Sequence, residues 1–426
     1  MEEKYKKIII DFGIKYTKVG FEEDSEPRKI IPTPQLVNLE DYFEERTKNF
    51  NILSYLKNTP ETKLQIEEFA CYIINDVLQI FKTDGKFKLI CVILFDLELK
   101  NNFKEIYLSF IKYIYETFPF ICSIKIIPKN IFPIFVSGFF SGIILNSGYL
   151  FSSVTVVNNG LSVFTKKLGL GSCDIQKMLY NIILSDRKGI EIIPEQEQEI
   201  FKKNLVNHMD DIMVRVSYIM NKKVSNEYKK ALELEQATPG ESKKKGQYSK
   251  ISFYDDLPTF SISFDSRVIV GEKLFGENNE DNLAYIVLKT ILENVPCEIR
   301  RKVGSNIILS GGMTMLNGFY QRFIDEITYI ANNNPQFMRL KGIKDDLHVH
   351  KIIFPRNILT WVGASLYLSF NNSLNFAGNE INRDEKNDKI EKLENNENNE
   401  NVNEEKNINK EYDENDIINL LDNLRI

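Results

Sequence analysis

Short apolar runs that end in a glycine turn occur three times along the chain. Residues 8–10 lead into the sequence DFG, residues 142–145 lead into NSG, and residues 307–309 lead into SGG. An apolar run bounded by glycine predicts a buried strand followed by a tight turn. The first two runs are each followed by a second alternating segment, which predicts a strand–turn–strand unit near residue 10 and again near residue 146. This internal repeat indicates two related domains.

Helical periodicity fills the stretches between these strands. Apolar residues recur at helical spacing over residues 61–81 and 101–118, and short apolar runs at 89–95 and 121–127 alternate with them. After the SGG turn, residues 319–327 repeat the helical pattern. Alternating strands and helices predict a mixed α/β sheet with helices packed on its faces.

Two stretches are too polar to join a core. Residues 226–250 are charged and contain Pro239 and Gly240, which predicts a flexible surface loop. Residues 373–426 are dominated by Asn, Glu, Lys and Asp, which predicts a disordered tail. Within the tail, residues 416–424 regain an amphipathic pattern that is typical either of a transient helix or of a short docking peptide.

The composition places the chain among ordinary globular proteins. Of its 426 residues, 43% are hydrophobic and 27% are charged, which leaves room for two sizeable domains. The formal net charge of −6 argues against a nucleic-acid surface, and the excess of acidic over basic residues lies in the tail. The five cysteines show no paired spacing, which predicts reduced thiols without a disulfide frame or a thiolate metal site.

Two further patterns are weighed as membrane and metal sites. Residues 131–160 carry no charged side chain and are long enough to span a bilayer. Pro133 and several glycines interrupt them, and their second half alternates like a strand, so we expect protein core there. His348 and His350 share one face of a predicted strand, but without a third ligand nearby they do not indicate a metal site.

Two of the glycine turns carry candidate chemistry. Asp11 ends a strand, Gly13 forms the turn and Lys18 follows closely, an arrangement that could address a phosphate or its metal and that also fits an ordinary hairpin. Gly311 and Gly312 would let the backbone approach a flat group, with a helix N-terminus behind them to offer N–H groups to an anion. The alternative is a plain strand-to-helix turn.

Taken together, these segments resemble the actin family. The hairpin DFGIKYTKVGF (11–21) is similar to the first phosphate loop of actin, and GIILNSGYLFSSVTVVNNG (142–160) is similar to the second. SNIILSGGMTMLNGF (305–319) resembles the adenosine loop, and RNILTWVGASLYL (356–368) resembles the closing helix that contains tryptophan. The resemblance covers nearly all of the chain before the tail.

The resemblance implies an α/β actin-like ATPase fold, with two related domains of mixed sheet and flanking helices around a central cleft. We expect residues 1–129 and 335–372 to form the first domain, and residues 130–334 to form the second. It also implies how a nucleotide, ATP or ADP, would be held, with Mg²⁺ present only if nucleotide is bound. The expected nucleotide-binding residues are Asp11, Gly13, Lys18, Gly148, Gly311, Gly312 and Met315.

The departures from the family pattern bear on catalysis. In the first loop, Ile14 and Lys15 stand where conventional actins have a serine and a glycine. In the second loop, Asn146 stands in place of an aspartate, and Tyr149-Leu150 in place of an Asp-Gly pair. Lys129 and Ser153 align with the family's water-activating glutamine and histidine. Phosphoryl transfer needs metal charge, donors to the departing phosphate and a positioned water. An asparagine removes an anionic anchor for metal-bound water, and bulky residues at a glycine turn hinder close backbone approach. We therefore expect a degenerate ATPase site with no catalytic residues.

Among actin-related proteins, the chain most resembles the tenth and eleventh actin-related proteins. These form the class at the pointed end of dynactin's short filament. That similarity implies a structural subunit that caps an actin-like filament, with filament subunits and other dynactin-type subunits as partners, and without direct contact to nucleic acid or membrane. We expect it in the cytoplasm, with the cytoskeleton. The alternatives are an actin-related subunit of a nuclear chromatin-remodelling complex and a polymerising protein that hydrolyses ATP.

Overall fold

The structure, a computed structural model, describes most of the chain before the tail. The described residues are 5–22, 24–34, 42–43, 59–78, 88–96, 100–190, 193–237, 248–252, 254–276, 282–370 and 379–382. The strands are β1 (Tyr5–Asp11), β2 (Tyr16–Phe21), β3 (Lys29–Pro32), β4 (Lys88–Phe95), β5 (Ile121–Pro128), β6 (Gly142–Ser147), β7 (Ser152–Asn158), β8 (Leu161–Leu168), β9 (Tyr248–Ile251), β10 (Phe260–Ser263), β11 (Ile307–Ser310) and β12 (Asn379–Asn382).

Helices alternate with these strands as the periodicity predicts. They are α1 (Pro60–Tyr72), α2 (Lys100–Thr117), α3 (Ser172–Ser185), α4 (Arg187–Ile190), α5 (Gln198–Val216), α6 (Lys222–Ala237), α7 (Phe264–Leu274), α8 (Leu283–Asn294), α9 (Cys297–Gly304), α10 (Phe319–Asn333) and α11 (Leu359–Phe370). Helix α1 continues as a π-helical turn, Ile73–Val77. The mixed α/β architecture expected from the sequence is confirmed.

The chain divides into two compact units. Unit 1 comprises Met1–Leu36, Leu56–Val136 and Thr360–Ile426, and unit 2 comprises Val37–Tyr55 and Ser137–Leu359. Unit 1 contains a sheet in the order β12-β5-β4-β1-β2-β3. Strands β1, β4 and β5 run parallel, whereas β2, β3 and β12 pair antiparallel to their neighbours.

The central strand of unit 1 is β1, because its β-branched run is covered on both faces. The side chains of Ile8, Ile9 and Ile10 have no exposed surface, which is typical of a strand inside a parallel sheet. The ring of Phe12, directly after β1, packs edge-on against Phe110 of α2, with ring centroids 4.9 Å apart. Phe12 also packs edge-on against Tyr107 of the same helix, so aromatic contacts join the strand's carboxyl end to α2.

Helix α11 fastens the first hairpin of unit 1. Trp361 is fully buried, and its indole N–H donates to the carbonyl of Ile9 at 3.1 Å. A Cβ atom on Gly20 would lie 2.7 Å from the Trp361 ring, so only glycine lets β2 approach the helix this closely. Since Trp361 is the one tryptophan in the sequence, its fluorescence reports on unit 1.

Unit 2 contains a four-stranded sheet in the order β11-β6-β7-β8 and a separate β9–β10 pair. Strand β11 is parallel to β6, and β6, β7 and β8 form an antiparallel meander. Helix α10, which follows β11, is held by the fully buried Arg322. Its guanidinium donates to Glu326 Oε1 at 2.8 Å, to the carbonyl of Met220 at 2.8 Å and to Glu272 Oε1 at 3.1 Å.

The predicted internal repeat is confirmed. In unit 1, β1 and β2 pair antiparallel up to Asp11 opposite Lys18, and in unit 2, β6 and β7 pair antiparallel with Asn146 opposite Ser153. Each hairpin extends to a third antiparallel strand, and each first strand has a parallel strand on its other side. The two units therefore share one topology around their first turn.

The observed unit boundaries differ from the expected ones. Residues 335–359 belong to unit 2, because the amide of Ile307 donates to the carbonyl of His348 at 2.8 Å and the amide of Gly311 donates to the carbonyl of Arg356 at 2.9 Å. Residues 130–136 belong to unit 1, where the Phe135 ring lies 4.8 Å from that of Tyr367 on α11. Both shifts follow from contacts between residues that are distant in sequence.

The predicted surface loop at residues 226–250 is wrong over part of its length. Residues 226–237 continue helix α6, and residues 248–250 belong to β9; residues 238–247 lie outside the described residues. The composition of α6, rich in lysine, glutamate, alanine and leucine, favours a helix even though it is highly charged.

The predicted disorder of residues 373–426 is wrong for residues 379–382. These residues form β12, which pairs antiparallel with β5 at the edge of the unit 1 sheet, with Ile381 opposite Ile124. The rest of the tail, including the amphipathic segment 416–424, lies outside the described residues.

The uncharged stretch at 131–160 folds as part of the two units. It forms the 3-10 turn Phe132–Ser137 and strands β6 and β7. Across the ranges given above, no helix is both long and apolar enough to cross a membrane.

Candidate functional site

The first glycine turn places a buried carboxylate between two lysines. Asp11 is the last residue of β1 and has 1% of its surface exposed. Lys18 Nζ lies 3.0 Å from Asp11 Oδ2, and Lys129 Nζ lies 3.5 Å from Asp11 Oδ1. Lys18 comes from the paired strand β2, and Lys129 follows β5. Because β1, β4 and β5 are parallel, their carboxyl ends meet at one sheet edge, which brings Lys129 to Asp11.

Two opposing effects act on the charge of Asp11. Burial alone would raise the pKa of its carboxyl, but the ammonium groups of Lys18 and Lys129 hold that pKa below its usual value. Asp11 is therefore ionised at neutral pH, and its charge is compensated inside the protein.

Gly13 shapes the turn. A Cβ atom at this position would lie 2.3 Å from the carbonyl oxygen of Tyr16, so a side chain cannot be placed there without moving the backbone. The Thr33 hydroxyl donates to the Gly13 carbonyl at 2.7 Å, and the Thr33 amide donates to the Lys15 carbonyl at 3.0 Å. Two of the turn's carbonyls are thus occupied by Thr33.

A hydrated magnesium ion does not fit this turn. Magnesium is held by carboxylates and phosphates, usually through water. The Asp11 carboxylate already has an ammonium group beside each oxygen, and these would repel a divalent cation. In the part of the chain that the structure describes, no group of three or more His, Cys, Asp or Glu side chains could hold a metal ion.

The second turn, in unit 2, directs its carbonyl groups at a helix. The amide of Gly148 donates to the carbonyl of Phe151 at 3.0 Å, which closes the turn. The Gly148 carbonyl accepts from the Ser172 amide at 3.0 Å, and the Tyr149 carbonyl accepts from the Cys173 amide at 2.9 Å. The N-terminal N–H groups of α3 are therefore used within the protein, instead of being left for an anion.

The residues at the tip of this turn pack inward. Leu150 is 5% exposed, and the buried Tyr149 hydroxyl lies beside the Cys173 thiol. Burial, followed by the neighbouring Cys173, raises the pKa of Tyr149 well above its ordinary value. Leu150 therefore packs into the interior of unit 2, whereas Tyr149 is half-buried with its hydroxyl group inside. At the base of the turn, Ser153 is buried opposite Asn146.

The two glycines of the third turn have different roles. Gly311 has φ +94°, and a Cβ atom on it would lie 2.2 Å from the carbonyl oxygen of Ser147, so glycine is required by both conformation and space. Gly312 has no atom within 4 Å of its Cβ position. A flat group could therefore approach the backbone at Gly312, whereas Gly311 joins the third turn to the second.

The helix expected directly behind the glycine pair begins later. The 3-10 turn Gly312–Met315 intervenes, and α10 starts at Phe319. The amide of Phe319 already donates to the carbonyl of Leu316 at 3.0 Å. Met315 is 45% exposed and is the residue of this turn that presents an apolar side chain to solvent.

The structure thus brings the expected site residues together in two groups. In unit 1, Asp11, Gly13 and Lys18 share one turn. In unit 2, the turn of Gly148 and the turn of Gly311, Gly312 and Met315 meet at Ser147.

Sequence reasoning missed the contact of Lys129 with Asp11 and the role of Ser147. The alignment of Lys129 with a glutamine of the family does not indicate that it lies near Asp11. The parallel order β1-β4-β5 is the signal that would have placed it beside Asp11.

We expect Lys129→Met to destabilise unit 1. The change leaves the buried Asp11 carboxylate with one ammonium partner, and should lower the free energy of unfolding by about 2 kcal/mol at pH 7. Because the folded-state pKa of Asp11 is lowered, this stabilisation is full above the unfolded-state pKa, near 4, and is lost as pH falls through the folded-state pKa. The difference from wild type should therefore narrow as pH falls below about 4.

Urea unfolding followed by Trp361 fluorescence measures this effect. Lys125→Met is the matched control, since Lys125 lies on β5 and is not among the groups that lower the pKa of Asp11. Equal unfolding free energies for Lys129→Met and wild type at pH 7 would contradict the pairing.

The adjacent glycines offer a second, internally controlled prediction. Gly311→Ala should destabilise unit 2 by about 3 kcal/mol, because it combines an unfavourable φ with a backbone clash. Gly312→Ala should leave stability within about 0.5 kcal/mol, since its Cβ meets open space. Hydrogen exchange of the β6 and β11 peptides, measured by mass spectrometry, should rise in the first variant alone. Similar protection in both would show that the two glycines do not differ as described.

Comparison with known proteins agrees with this architecture. The model of the Actin family matches residues 2–388. Actin-related protein 10 of Dictyostelium discoideum is 24% identical over 405 residues, which cover 84% of this chain and 82% of that protein. Putative actin-29 of the same organism is 26% identical over 246 residues, which cover 57% of this chain and 56% of that protein. Since the family model spans most of the 426 residues and both units carry the repeated hairpin, the chain belongs to the actin family.

Proposed function

We propose that this chain is a non-catalytic actin-related subunit that caps the pointed end of a short actin-like filament in a complex of dynactin type. The observation that carries the non-catalytic part is the position of Lys129. Its ammonium group stands beside Asp11 and compensates a negative charge that would otherwise be available to the metal ion that accompanies a bound phosphate.

Lys129 also cannot replace a water-activating residue. A protonated lysine has three donors and no acceptor, so it cannot accept the hydrogen bond that orients an attacking water. Lys129 is moreover engaged with a buried carboxylate. Ser153, which aligns with the histidine of the family, is buried opposite Asn146 and adds no charge or base at neutral pH.

Nucleotide binding is a separate question from hydrolysis. Unit 2 keeps an open backbone at Gly312 and an exposed apolar side chain at Met315, which would suit an adenosine group. In unit 1, the turn that contains Asp11 does not fit a hydrated magnesium ion. We infer that any bound ATP or ADP would serve as a structural ligand and would not be turned over.

The filament-end part of the proposal is supported by similarity. The relative named Actin-related protein 10 is similar along 82% of its own length, so the likeness is not confined to one motif. The proposed partners are the subunits of an actin-like filament and other subunits of the complex. The proposed location is the cytoplasm, with the cytoskeleton, and no direct contact with nucleic acid or membrane is proposed.

We expect the purified full-length protein to hydrolyse ATP at least about 100-fold more slowly than conventional actin under polymerising conditions. Loss of one positioning donor typically costs about 2–4 kcal/mol of transition-state stabilisation, and several such groups are replaced here. Phosphate release in the presence of Mg²⁺ measures the rate, with conventional actin as the positive control. A rate within about tenfold of that control would overturn the non-catalytic assignment.

Purification from the native cells tests the assembly. The tagged full-length protein should recover an actin-like protein together with dynein-associated subunits, identified by mass spectrometry. Tagged conventional actin from the same cells is the control for proteins that bind any actin fold. Recovery of a helicase-type remodeller and histones would contradict the proposal and place the chain in a nuclear complex.

A further inference from the structure

Unit 2 contains a cavity beside the N-terminal end of α3. Its volume is about 540 Å³, which falls in the usual range for ligand pockets. It lies among β8, α3, α7 and α8. The described residues that line it are Lys166, Lys167, Leu168, Gly169, Leu170, Asp174, Ile175, Met178, Lys273, Leu283, Tyr285, Ile286 and Lys289. It shares no residue with the candidate nucleotide site.

The cavity has an apolar floor. Leu168, Ile175, Leu283 and Ile286 are buried, and the half-buried Met178 lies beside them. These side chains come from β8, α3 and α8, so the floor is fixed by three elements of the core. Methionine adapts its shape to different apolar partners, which suits a site that receives an aliphatic group.

Four lysines surround this floor. Lys166 and Lys167 are at the end of β8, Lys273 is in the last turn of α7, and Lys289 is on α8. Lys273 is exposed and the others are half-buried, so the cationic groups lie closer to solvent than the apolar floor. Lys167 Nζ also lies 4.5 Å from the centre of the Phe151 ring. The rim therefore carries positive charge from three separate elements.

The acid among the described lining residues does not balance this charge. Asp174 Oδ2 accepts from the Gly171 amide at 2.7 Å, and Asp174 Oδ1 accepts from the Tyr42 hydroxyl at 2.6 Å. The carboxylate is thus used to cap α3 and to hold Tyr42. Among the described residues that line the cavity, one engaged acid therefore stands against Lys166, Lys167 and Lys289, since Lys273 has an interaction of its own.

The wall of the cavity also excludes one kind of anion site. Phosphate sites commonly use free N–H groups at a helix N-terminus. Here the Ser172 and Cys173 amides of α3 donate to the second turn, and the Asp174 carboxylate stands at that helix end, where it would repel a phosphate. Recognition is left to lysine ammonium groups, which act as point charges without fixed direction, and to the apolar floor.

We propose that this cavity docks a short acidic segment of a partner protein, in which aspartate or glutamate side chains flank one or two aliphatic side chains. The aliphatic group fills the floor, and the carboxylates pair with Lys166, Lys167 and Lys289. A buried apolar anchor inside a charged rim is the usual arrangement of a small protein interface. The assignment does not depend on the filament-end function.

A synthetic peptide with the required chemistry can be taken from the chain itself. Residues 411–424, EYDENDIINLLDNL, contain five carboxylates and no basic side chain, together with Ile417, Ile418, Leu420 and Leu421. A fluorescein-labelled peptide of this sequence is added to the full-length protein, and fluorescence anisotropy measures binding at about 150 mM salt, where exposed charge pairs are screened.

The protein variants test the lysines. Lys167→Glu with Lys289→Glu should weaken binding by about tenfold or more, because two attractive charge pairs become repulsive. The matched control is Lys203→Glu with Lys341→Glu, which changes net charge equally at exposed positions of unit 2 outside the cavity, and should alter affinity by less than about twofold. Equal effects of the two pairs would overturn the proposal. Thermal unfolding by circular dichroism verifies that each variant is folded.

Peptide variants test the ligand without changing the protein. A peptide with serine in place of Ile417, Ile418, Leu420 and Leu421 should lose binding. A peptide with amides in place of its carboxylates should lose binding too. If inorganic tripolyphosphate displaces the peptide and the serine peptide binds equally well, the cavity is a simple anion site and the proposal fails. Absence of binding to both the wild-type protein and the variant described next would also overturn it.

One further variant identifies the natural occupant. Full-length protein with serine at positions 417, 418, 420 and 421 should bind the peptide as wild type does. If this variant alone binds the peptide, the C-terminal segment of the chain occupies the cavity, and assignment to a partner protein is wrong.

Discussion

The buried carboxylate of Asp11 constrains the strand edge on which the site of unit 1 is built. An isolated anion with 1% exposure would cost several kcal/mol to bury, so its charge must be compensated. The chain supplies two ammonium groups, one from Lys18 on the paired strand and one from Lys129 after β5. The negative charge of Asp11 is therefore compensated within the protein.

The two repeats show how one topology serves different chemistry. In unit 1 the first hairpin ends in a charged residue, Asp11 opposite Lys18, whereas in unit 2 it ends in two neutral residues, Asn146 opposite Ser153. The neutral pair needs no counter-charge. The turn after it instead directs its carbonyl groups at the N-terminus of α3, where they satisfy amides that a helix end leaves open. The second turn thus stabilises its own unit.

The parts of the fold that depend on local pattern could be predicted from the sequence. The hairpins at β1–β2 and β6–β7 and the helices between them follow from apolar periodicity and glycine turns. Contacts across long sequence separations could not be predicted in this way. Lys129 reaches Asp11 through the register of three parallel strands, and residues 335–359 join unit 2 through backbone bonds to β11.

Two further segments adopt a conformation that their overall polar composition does not predict. The charged segment before Ala237 is helical, because lysine, glutamate, alanine and leucine all favour a helix. Residues 379–382 form a strand although asparagine and glutamate are poor strand formers, since pairing with β5 decides their conformation. In the candidate site, Asp11, Gly13 and Lys18 could be grouped from the sequence, but the separate roles of Gly311 and Gly312 required the position of Ser147.

The lysines of the two units show why net charge does not identify a binding surface. The chain carries a formal charge of −6, yet both the Asp11 turn and the cavity in unit 2 are rich in lysine. At the turn, both ammonium groups lie beside the carboxylate of Asp11, which neutralises one of the two positive charges. At the cavity, the carboxylate of Asp174 is engaged by an amide and a hydroxyl, and no other acid among the described lining residues balances Lys166, Lys167 and Lys289. An unbalanced local charge above an apolar floor, and not the number of lysines, marks the place where an acidic ligand would lower the free energy.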